Sequence, residues 1–418
     1  MNVGGASAPR QFASYKEALA WLFRTQRFGI KLGLENIQRL LADLQVPSPE
    51  QRIVHVAGTN GKGSVCAMID SVARAAGYRT GLFTSPHLVS FRERIQVDGE
   101  LISEGEVVRG LTSIRELVSV WEPHPTFFEI VTALSLLHFR AHRCEIVVLE
   151  TGMGGRFDAT NAVTPAVSAI TPIDYDHQKW LGESLTEIAA EKAGIIKPRA
   201  PVISAAQSEE VRCVIARKAI ECEAPLTVVS EGYDDSPVAL AGTHQKHNAA
   251  VAVSAWQALG LAFDHASIRE GLGNVNWPAR FQRWNERIVI DGAHNPSGAR
   301  VAAATWRDAF GKKKAALVLG VLRDKEMAAL YRELAPIAEF VVLPRFRGER
   351  AMPPEELAKV VHATTPMTQH VVAGSCAEAL SLAEKHSAPV LVAGSLHLAG
   401  EILAHLRGTP SAFDECSQ

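Results

Sequence analysis

Residues 53–65, IVHVAGTNGKGSV, decide the fold of this chain. A run rich in β-branched residues passes directly into a loop rich in glycine, and an apolar pattern of helical period continues to Gly77. This order predicts a buried strand, a tight loop and a helix whose N-terminus faces the loop. Backbone N–H groups and the positive end of the helix dipole favour phosphate there, and Lys62 adds a positive charge. The stretch therefore predicts a nucleoside triphosphate site.

The loop departs from the common phosphate-binding pattern G-x-x-x-x-G-K-[ST] at two positions. Val56 stands where the first glycine is expected, and Gly63 separates Lys62 from the hydroxyl of Ser64. A plain glycine turn between strand and helix would explain the glycines, but not Lys62 and Ser64. We therefore favour phosphate binding over a plain turn.

Short apolar runs alternate with helical patterns through the first part of the chain. Strand-like runs at 80–84, 146–150 and 167–171 follow the one at 53–57. This alternation is typical of a parallel sheet with crossover helices. A helical segment at 15–44 precedes the first strand, and we expect it to pack on the edge of the sheet.

The strand-and-helix pattern restarts near residue 286. Further strand-like runs lie at 287–291, 315–320, 339–344 and 389–394. We predict an α/β protein with two domains, within the usual range of domain sizes. A P-loop NTPase-like, parallel-sheet N-terminal domain is expected over residues 1–285, and a smaller Rossmann-like α/β C-terminal domain over 286–418. The junction, NWPARFQRWNE, contains a proline and two tryptophans and is predicted to be a tight hinge.

The composition argues against a nucleic-acid-binding protein, a protein of acidic membranes and a protein held together by disulfides or a structural zinc. The 418 residues are 47% hydrophobic, which is ample for two or three cores at about 150 residues a domain. A net charge of -2 provides no overall field for nucleic acid or an acidic membrane, so neither partner is expected. The six cysteines are scattered without CxxC spacing, which predicts reduced thiols and argues against disulfides and a structural zinc. With no signal-peptide or membrane-span pattern, we expect a cytoplasmic protein.

Polar residues follow two of the strand-like runs. Glu150 ends one run and His177 lies just beyond another. Carboxyl ends of parallel strands meet at one edge, so both side chains are expected near the phosphate loop, Glu150 as a Mg²⁺ ligand or water-orienting carboxylate. Plainer interpretations are a turn-forming Glu150 and a structural His177. Lys192, in EKAG, is on its own typical of a solvated cation at a helix end.

The second domain opens with a similar arrangement. Asp291 ends the run at 287–291 and His294 follows it, while Arg280 lies at the hinge and Asn248 upstream of it. An aspartate at a strand end can hold a ribose hydroxyl, and a hinge arginine can reach phosphate when two domains close. A helix cap is the plainer interpretation of Asp291 and His294.

Several motifs, taken together and in this order, resemble those of the Mur ligase superfamily. They are GTNGKGS at 58–64, TSPHL at 84–88, ETGMGGRFDATN at 150–161, His177 with EKAGI at 191–195, HQKHNAA at 244–250, WPARFQ at 277–282 and DGAHNP at 291–296. Within it, GIKLGLENIQRLL at 29–41, SPHLVSFRERI at 85–95 and GSLHLAGE at 394–401 are similar to bacterial folylpolyglutamate synthases, many of which are also dihydrofolate synthases. The likeness runs from about Tyr15 to Leu406.

The resemblance implies an ATP site with Mg²⁺ beside the phosphates. The implied phosphate-loop positions are Thr59, Asn60, Gly61, Lys62, Gly63 and Ser64. The implied contacts to adenine, phosphate and ribose are Asn248, Arg280 and Asp291, with His294 nearby. The implied Mg²⁺ ligands are Ser85, Glu150 and His177. Lys192 matches a lysine that the family carries as a carbamate, an anion beside the metal, which replaces the interpretation as a solvated cation. The implied catalytic residues are Lys62, Lys192, His177 and Glu150.

The resemblance also implies a pterin-binding pocket. Its positions are Thr126, Phe128, Phe157, Asp158 and Ala159, where the Asp158 carboxylate could accept hydrogen bonds from the pterin. Ser64 stands where threonine is frequent, and His397 where tyrosine or phenylalanine is common.

The activity implied by the family is transfer of the ATP γ-phosphoryl to a substrate carboxylate, followed by attack of the L-glutamate amine on the acyl phosphate. Dihydropteroate and reduced folates are the implied acceptors, and a monomer is the family expectation. Alternatives are a folylpolyglutamate synthase without the first activity, or an ATP-driven switch without ligation. We do not expect a peptidoglycan-precursor ligase, because the 57 residues before Gly58 are too few for a nucleotide-sugar domain.

Overall fold

The first sheet is parallel at its centre and contains the strand that leads into the phosphate loop. Its strands are β1 (Arg52–Ala57), β2 (Thr80–Phe83), β3 (Ile95–Val97), β4 (Glu100–Leu101), β5 (Ile146–Glu150), β6 (Val167–Ile170), β7 (Val202–Ala205) and β8 (Leu226–Val229). They are ordered β4-β3-β2-β5-β1-β6-β7-β8, with β3 and β4 antiparallel at one edge. The predicted strands at 53–57, 80–84, 146–150 and 167–171 are thus confirmed.

The structure is a computed structural model that describes residues 11–29, 33–262, 264–409 and 414. Residues 30–32 of the GIKLGLENIQRLL motif and Cys416 lie outside the described residues. In the described part of the chain, no helix is long and apolar enough to cross a membrane.

Ten helices surround this sheet within the described residues. They are α1 (Tyr15–Arg24), α2 (Glu35–Leu44), α3 (Lys62–Ala75), α4 (Glu104–Val118), α5 (Phe127–Ala141), α6 (Gln178–Leu181), α7 (Leu185–Ala193), α8 (Glu209–Glu221), α9 (Thr243–Ala258) and α10 (His265–Asn274). Helices α4, α5 and α7 begin with a capping box, in which a serine or threonine and a glutamate exchange hydrogen bonds with each other's backbone. These caps explain from local sequence where the three helices start.

The segment predicted to pack on the sheet edge lies elsewhere. Residues 15–44 form α1, a 3-10 turn at Thr25–Phe28 and α2. Helix α1 contacts α4, and α2 contacts α5, so the segment covers a helical layer instead of a strand edge. The reason is that α4 and α5 already cover that face of the sheet, and their outer apolar residues need a further layer.

The second sheet has the smaller α/β architecture that the sequence predicts. Its strands are β9 (Gln282–Arg283), β10 (Ile288–Ile290), β11 (Ala315–Leu319), β12 (Ala338–Pro344), β13 (Gln369–Ala373) and β14 (Val390–Ala393), ordered β13-β12-β11-β14-β10-β9. Its helices are α11 (Pro296–Phe310), α12 (Met327–Leu334), α13 (Pro354–Thr364), α14 (Cys376–Lys385) and α15 (Leu396–Leu406). Strand β9 pairs antiparallel with β10, so this sheet includes residues before 286. The division after residue 285 stays a prediction.

The register of three neighbouring strands places the site. Strand β1 lies between β5 and β6, with Val56 opposite Glu150 and Ala57 opposite Ile170. All three strands are parallel, so the phosphate loop after β1, Glu150 on β5 and the segment after β6 emerge at one edge. The predicted meeting of these strand ends is confirmed.

Helices α3 and α10 pack so closely that only glycine fits between them. A Cβ atom at Gly271 would lie 2.5 Å from the Cα atom of Val72, whereas a Cβ atom at Gly273, on the same helix, meets nothing within 4 Å. The Ser71 hydroxyl also donates a hydrogen bond to the Gly271 carbonyl, at 2.8 Å.

We expect Gly271→Ala to destabilise the protein by about 1–3 kcal/mol, because the α3 backbone must move away from the new methyl group. Gly273→Ala is the matched control and should stabilise the helix by about 0.5–1 kcal/mol, through helix propensity. Thermal melting of both variants checks this. Equal melting temperatures would contradict the close packing.

Candidate functional site

Two glycines set the shape of the phosphate loop, residues 58–64. Gly58 has φ +148°, and a Cβ atom there would lie 1.9 Å from the Thr171 hydroxyl oxygen. Gly61 has φ +91° and precedes the first residue of α3, Lys62. The first-turn N–H groups of α3 therefore open at the end of the loop, where they can bind phosphate.

Two lysine amines converge on one carbonyl of the loop. Lys62 Nζ donates to the Gly58 and Thr59 oxygens at 3.1 and 3.2 Å, and Lys192 Nζ donates to Gly58 at 2.8 Å. Lys192 is buried, at 4% exposure. Burial first, and then the charge of Lys62, lower the pKa of Lys192 to about 7. Near neutral pH a large fraction of the Lys192 amine is therefore unprotonated.

Glu150 and Ser85 are neighbours, as their shared predicted role requires. The Ser85 backbone N–H donates to Glu150 Oε2 at 3.0 Å. Burial raises the pKa of Glu150, while Lys62, the Ser85 N–H and Arg280 act against that rise. A buried carboxylate beside a serine hydroxyl supplies hard oxygen donors, which fit Mg²⁺.

His177 lies in the segment after β6, next to an aspartate that the sequence analysis did not single out. Its backbone has φ +52°, and its N–H donates to Asp176 Oδ1 at 2.9 Å. Burial, together with the charges of Lys325 and Lys192, lowers the pKa of His177 to about 4 despite Asp176. The imidazole is therefore neutral at pH 7, as a metal ligand must be.

Asp176 joins the two domains. The Lys325 amine pairs with Asp176 Oδ1 at 2.5 Å, and both side chains are 8% exposed. His294 Nε2 lies 3.6 Å from Asp176 Oδ2, and Asn295 Nδ2 donates to the same oxygen at 3.5 Å. Burial would raise the pKa of Asp176, but the contacts with His294, His177 and Lys325 outweigh it and lower the pKa far below the usual range.

The phosphate loop itself contacts the second domain. Asn60 Nδ2 donates to the Ser297 hydroxyl at 2.6 Å, and Asn295 Nδ2 donates to Asn60 Oδ1 at 3.0 Å. Asn295 also caps α11 through Gly298, at 2.8 Å. The N-terminus of α11 is therefore held against the loop. Asp176, Lys325, Asn295 and Ser297 were all missed in the sequence analysis; the capping position before Pro296 was the available signal for Asn295.

The predicted nucleotide contacts lie around this junction. Asn248 is next to the loop, since a Cβ atom at Gly61 would lie 2.6 Å from its Oδ1 atom. Arg280 lies beside Gly292, and its charge acts on both Glu150 and Asp291. The two oxygens of Asp291 accept backbone hydrogen bonds from Phe281 and Ala293, each at 2.8 Å. Asp291 therefore orders the hinge, and its ribose contact stays a prediction.

The positions predicted to bind pterin fall on α5 and on the loop after β5. Thr126 caps α5, and Phe128 packs against Gly152. Phe157 is 37% exposed, with the Arg156 guanidinium 4.4 Å above its ring. This exposed ring is a surface on which a flat heterocycle can stack.

The Asp158 carboxylate is buried and shapes this loop. Its Oδ2 atom accepts from the Met153 N–H at 2.9 Å, and its Oδ1 atom from the Thr160 hydroxyl at 2.5 Å. His55 Nε2 lies 2.7 Å from the same hydroxyl oxygen. Because the single hydroxyl proton goes to Asp158, Nε2 of His55 is the donor. Burial lowers the pKa of His55 to about 3, so its ring is neutral. Ala159 follows, buried in a 3-10 turn at Ala159–Ala162.

Two Mur ligase family models match the chain: the Mur ligase middle domain over residues 56–221, and the Mur ligase glutamate ligase domain over residues 279–396. The chain is 33% identical to the dihydrofolate synthase/folylpolyglutamate synthase of Bacillus subtilis, over 95% of this chain and 100% of that protein.

Solved structures agree with this likeness. One is E. coli FolC in complex with DHPP and ADP, 30% identical with a TM-score of 0.86, covering 96% of this chain and 99% of that one. Another is the bifunctional folylpolyglutamate synthase/dihydrofolate synthase of Yersinia pestis with AMPPNP and a Mn ion, 29% identical with a TM-score of 0.85, covering 96% and 100%. The chain belongs to the dihydrofolate synthase/folylpolyglutamate synthase family of the Mur ligases and is an ATP-dependent ligase.

Proposed function

We propose that the chain joins L-glutamate to dihydropteroate and also to tetrahydrofolate polyglutamates, each through an acyl phosphate. The observation that carries the proposal is that three parallel strands end at one edge of the sheet, where the phosphate loop, Glu150 and the segment that contains His177 emerge. The second domain contacts this edge through Lys325 and Ser297. The loop at 157–159, beside this edge of the sheet, supports the dihydropteroate activity. A folylpolyglutamate synthase alone is the second candidate.

Positioning and neutralisation of charge are the main tasks of a site for phosphoryl transfer. We propose that Lys62 and the first turn of α3 bind the ATP phosphates. Ser85, Glu150 and His177 would hold Mg²⁺, which offsets negative charge on the transferred phosphoryl group when bound. Lys192, as a carbamate, would add an anion beside that metal.

The second domain would keep the acyl phosphate away from water. The Lys325–Asp176 pair and the bonds from Asn60 to Asn295 and Ser297 hold the domains together over the loop. Arg280, placed at the hinge, is proposed to contact phosphate in this closed arrangement. Excluding water lets the amine of glutamate, rather than a water molecule, attack the intermediate.

The substrate pocket is proposed to lie between α5 and the loop after β5. Thr126, Phe128, Phe157 and Ala159 would contact the pterin, and Asp158 would accept hydrogen bonds from it. We further propose that the enzyme works as a monomer in the cytoplasm. The five cysteines that the structure describes form no disulfide, which fits a reducing compartment.

Acceptor-dependent phosphate release tests the proposal. ATP and L-glutamate would be supplied with dihydropteroate, with tetrahydrofolate or with no acceptor, and ligated products identified by mass spectrometry. We expect release and product with either acceptor. Dependence on tetrahydrofolate alone would reduce the enzyme to a folylpolyglutamate synthase, and equal release without acceptor would indicate an ATPase and contradict ligation.

Glu150→Gln should reduce ligation at least about 100-fold, since it removes the charge that holds the metal but keeps an oxygen for the Ser85 N–H. Its melting temperature should not fall, because a neutral side chain is less costly to bury. Glu145→Gln, at an exposed residue just before the start of β5, is the matched control and should keep full activity. Near wild-type turnover of Glu150→Gln would refute the assigned metal role.

Activity should rise with pH through about 7 and with added bicarbonate. Below the lowered pKa of Lys192 the amine is protonated and cannot react with CO₂, so the carbamate is lost as pH falls. Native mass spectrometry should show one CO₂ adduct, absent in Lys192→Arg. Lys197→Arg, five residues further on and half-buried, is the control that should retain the adduct. An adduct that survives Lys192→Arg would contradict the assignment.

A further inference from the structure

A group of metal-binding side chains lies away from the ATP site, between α4 and α5. Glu106, His138 and His142 bring one ligand atom each within 4.8 Å of the others. Glu106 Oε1 is 2.7 Å from His142 Nε2 and 3.8 Å from His138 Nδ1. In the part of the chain that the structure describes, no other three His, Cys, Asp or Glu side chains are grouped this tightly.

We propose that Glu106, His138 and His142 bind a divalent transition-metal ion, with zinc as the expected occupant. Two imidazoles and one carboxylate are a ligand set that zinc commonly takes. In a tetrahedral site with bonds of about 2.05 Å, ligand atoms lie about 3.3 Å apart. The 2.7 and 3.8 Å separations differ from this by about half an ångström each, which small side-chain rotations supply. A water molecule would complete the coordination, since His142 is one-third exposed.

The surroundings orient the ligands in advance. The capping box of α4 holds Glu106, because Oε2 accepts from the Ser103 N–H at 3.0 Å while Oε1 faces the histidines. His138 lies in the last turn of α5 and His142 is its C-cap residue, four positions later, so the two rings lie side by side with centroids 4.3 Å apart. They also occupy the C-terminal end of this helix, where the helix dipole favours a cation.

Charge and protonation also fit a metal ion. Burial first, and then the neighbouring His142, lower the pKa of His138 to about 4, so its ring is neutral and ready to ligate. Arg109, which also acts on His138, opposes a cation, and the Glu106 carboxylate offsets that charge. Thr126 caps the start of α5, and His138 lies about 18 Å further along this helix, at 1.5 Å per residue. The site would therefore clamp α4 to α5 without touching the reacting atoms.

Zinc titration of the full-length, untagged chain tests this site. Zn²⁺ would be titrated against a chromophoric chelator, with Mg²⁺ and ADP saturating so that the ATP site is filled. We expect one ion per chain, at least tenfold weaker binding in His142→Gln and in Glu106→Gln, and a melting temperature raised by zinc. His362→Gln, an exposed histidine of α13, is the matched control and should bind like the wild type.

The outcomes separate the proposal from binding elsewhere. Unchanged zinc affinity in His142→Gln, which alters the most exposed of the ligands, would overturn the proposal. So would loss of binding in Cys213→Ser, whose exposed thiol is an alternative ligand, or a thiolate charge-transfer band with Co²⁺. Absence of a bound ion in the wild type would overturn it as well. Glu106→Gln also alters the α4 cap, so its circular dichroism spectrum must match the wild type before its affinity is compared.

Discussion

The parallel pairing of β1 with β5 on one side and β6 on the other is the constraint on which the site depends. A shift of one residue in this register would turn Glu150 to the opposite face of the sheet. It would also separate the carbonyl oxygen of Gly58, after β1, from the amine of Lys192, which lies in the chain that follows β6. Apolar packing on both faces of the sheet therefore does two things. It stabilises the protein, and it determines which polar groups lie together at the strand ends.

The edge of the sheet where β1, β5 and β6 end also buries several charged side chains. The charge of Lys62 acts on the pKa values of both Glu150 and Lys192, and Asp176 acts on that of Lys192. Burying a charged side chain costs free energy, and the protein offsets this cost in different ways. Asp176 is paired across the domain junction with Lys325, whereas Lys192 forms no ion pair among the residues that the structure describes, and burial lowers the pKa of its amine. Charged groups held in fixed positions in a buried site can stabilise the charge that develops on a phosphoryl group in transfer.

Much of this organisation could be predicted from local sequence, and the remainder depends on distant parts of the chain. The apolar runs that form β1, β5 and β6 can be recognised from the sequence alone, and so can the glycine-rich phosphate loop. Strand β8 was not singled out because its residues are half-exposed, and β3 and β4 are only three and two residues long. The pairing of Asp176 with Lys325 joins residues 149 apart, so no spacing reveals it. Likewise, Lys192 in isolation resembles a solvated cation, and only tertiary packing buries it.

His55 connects strand β1, which leads into the phosphate loop, with the loop at 157–160. It lies on β1, three residues before Gly58, and its ring reaches the hydroxyl of Thr160 in the loop that Asp158 shapes. One strand thus supports the phosphate loop at its end, and its face supports the loop that we propose to bind the pterin. The loop at 157–160 and strand β1 are therefore not independent, because a change in the loop that alters Thr160 also alters the contact with His55 on β1. A substitution in this loop that alters acceptor preference must therefore also be compatible with the side chain of His55 inside β1. This requirement limits which substitutions can lead to a new specificity.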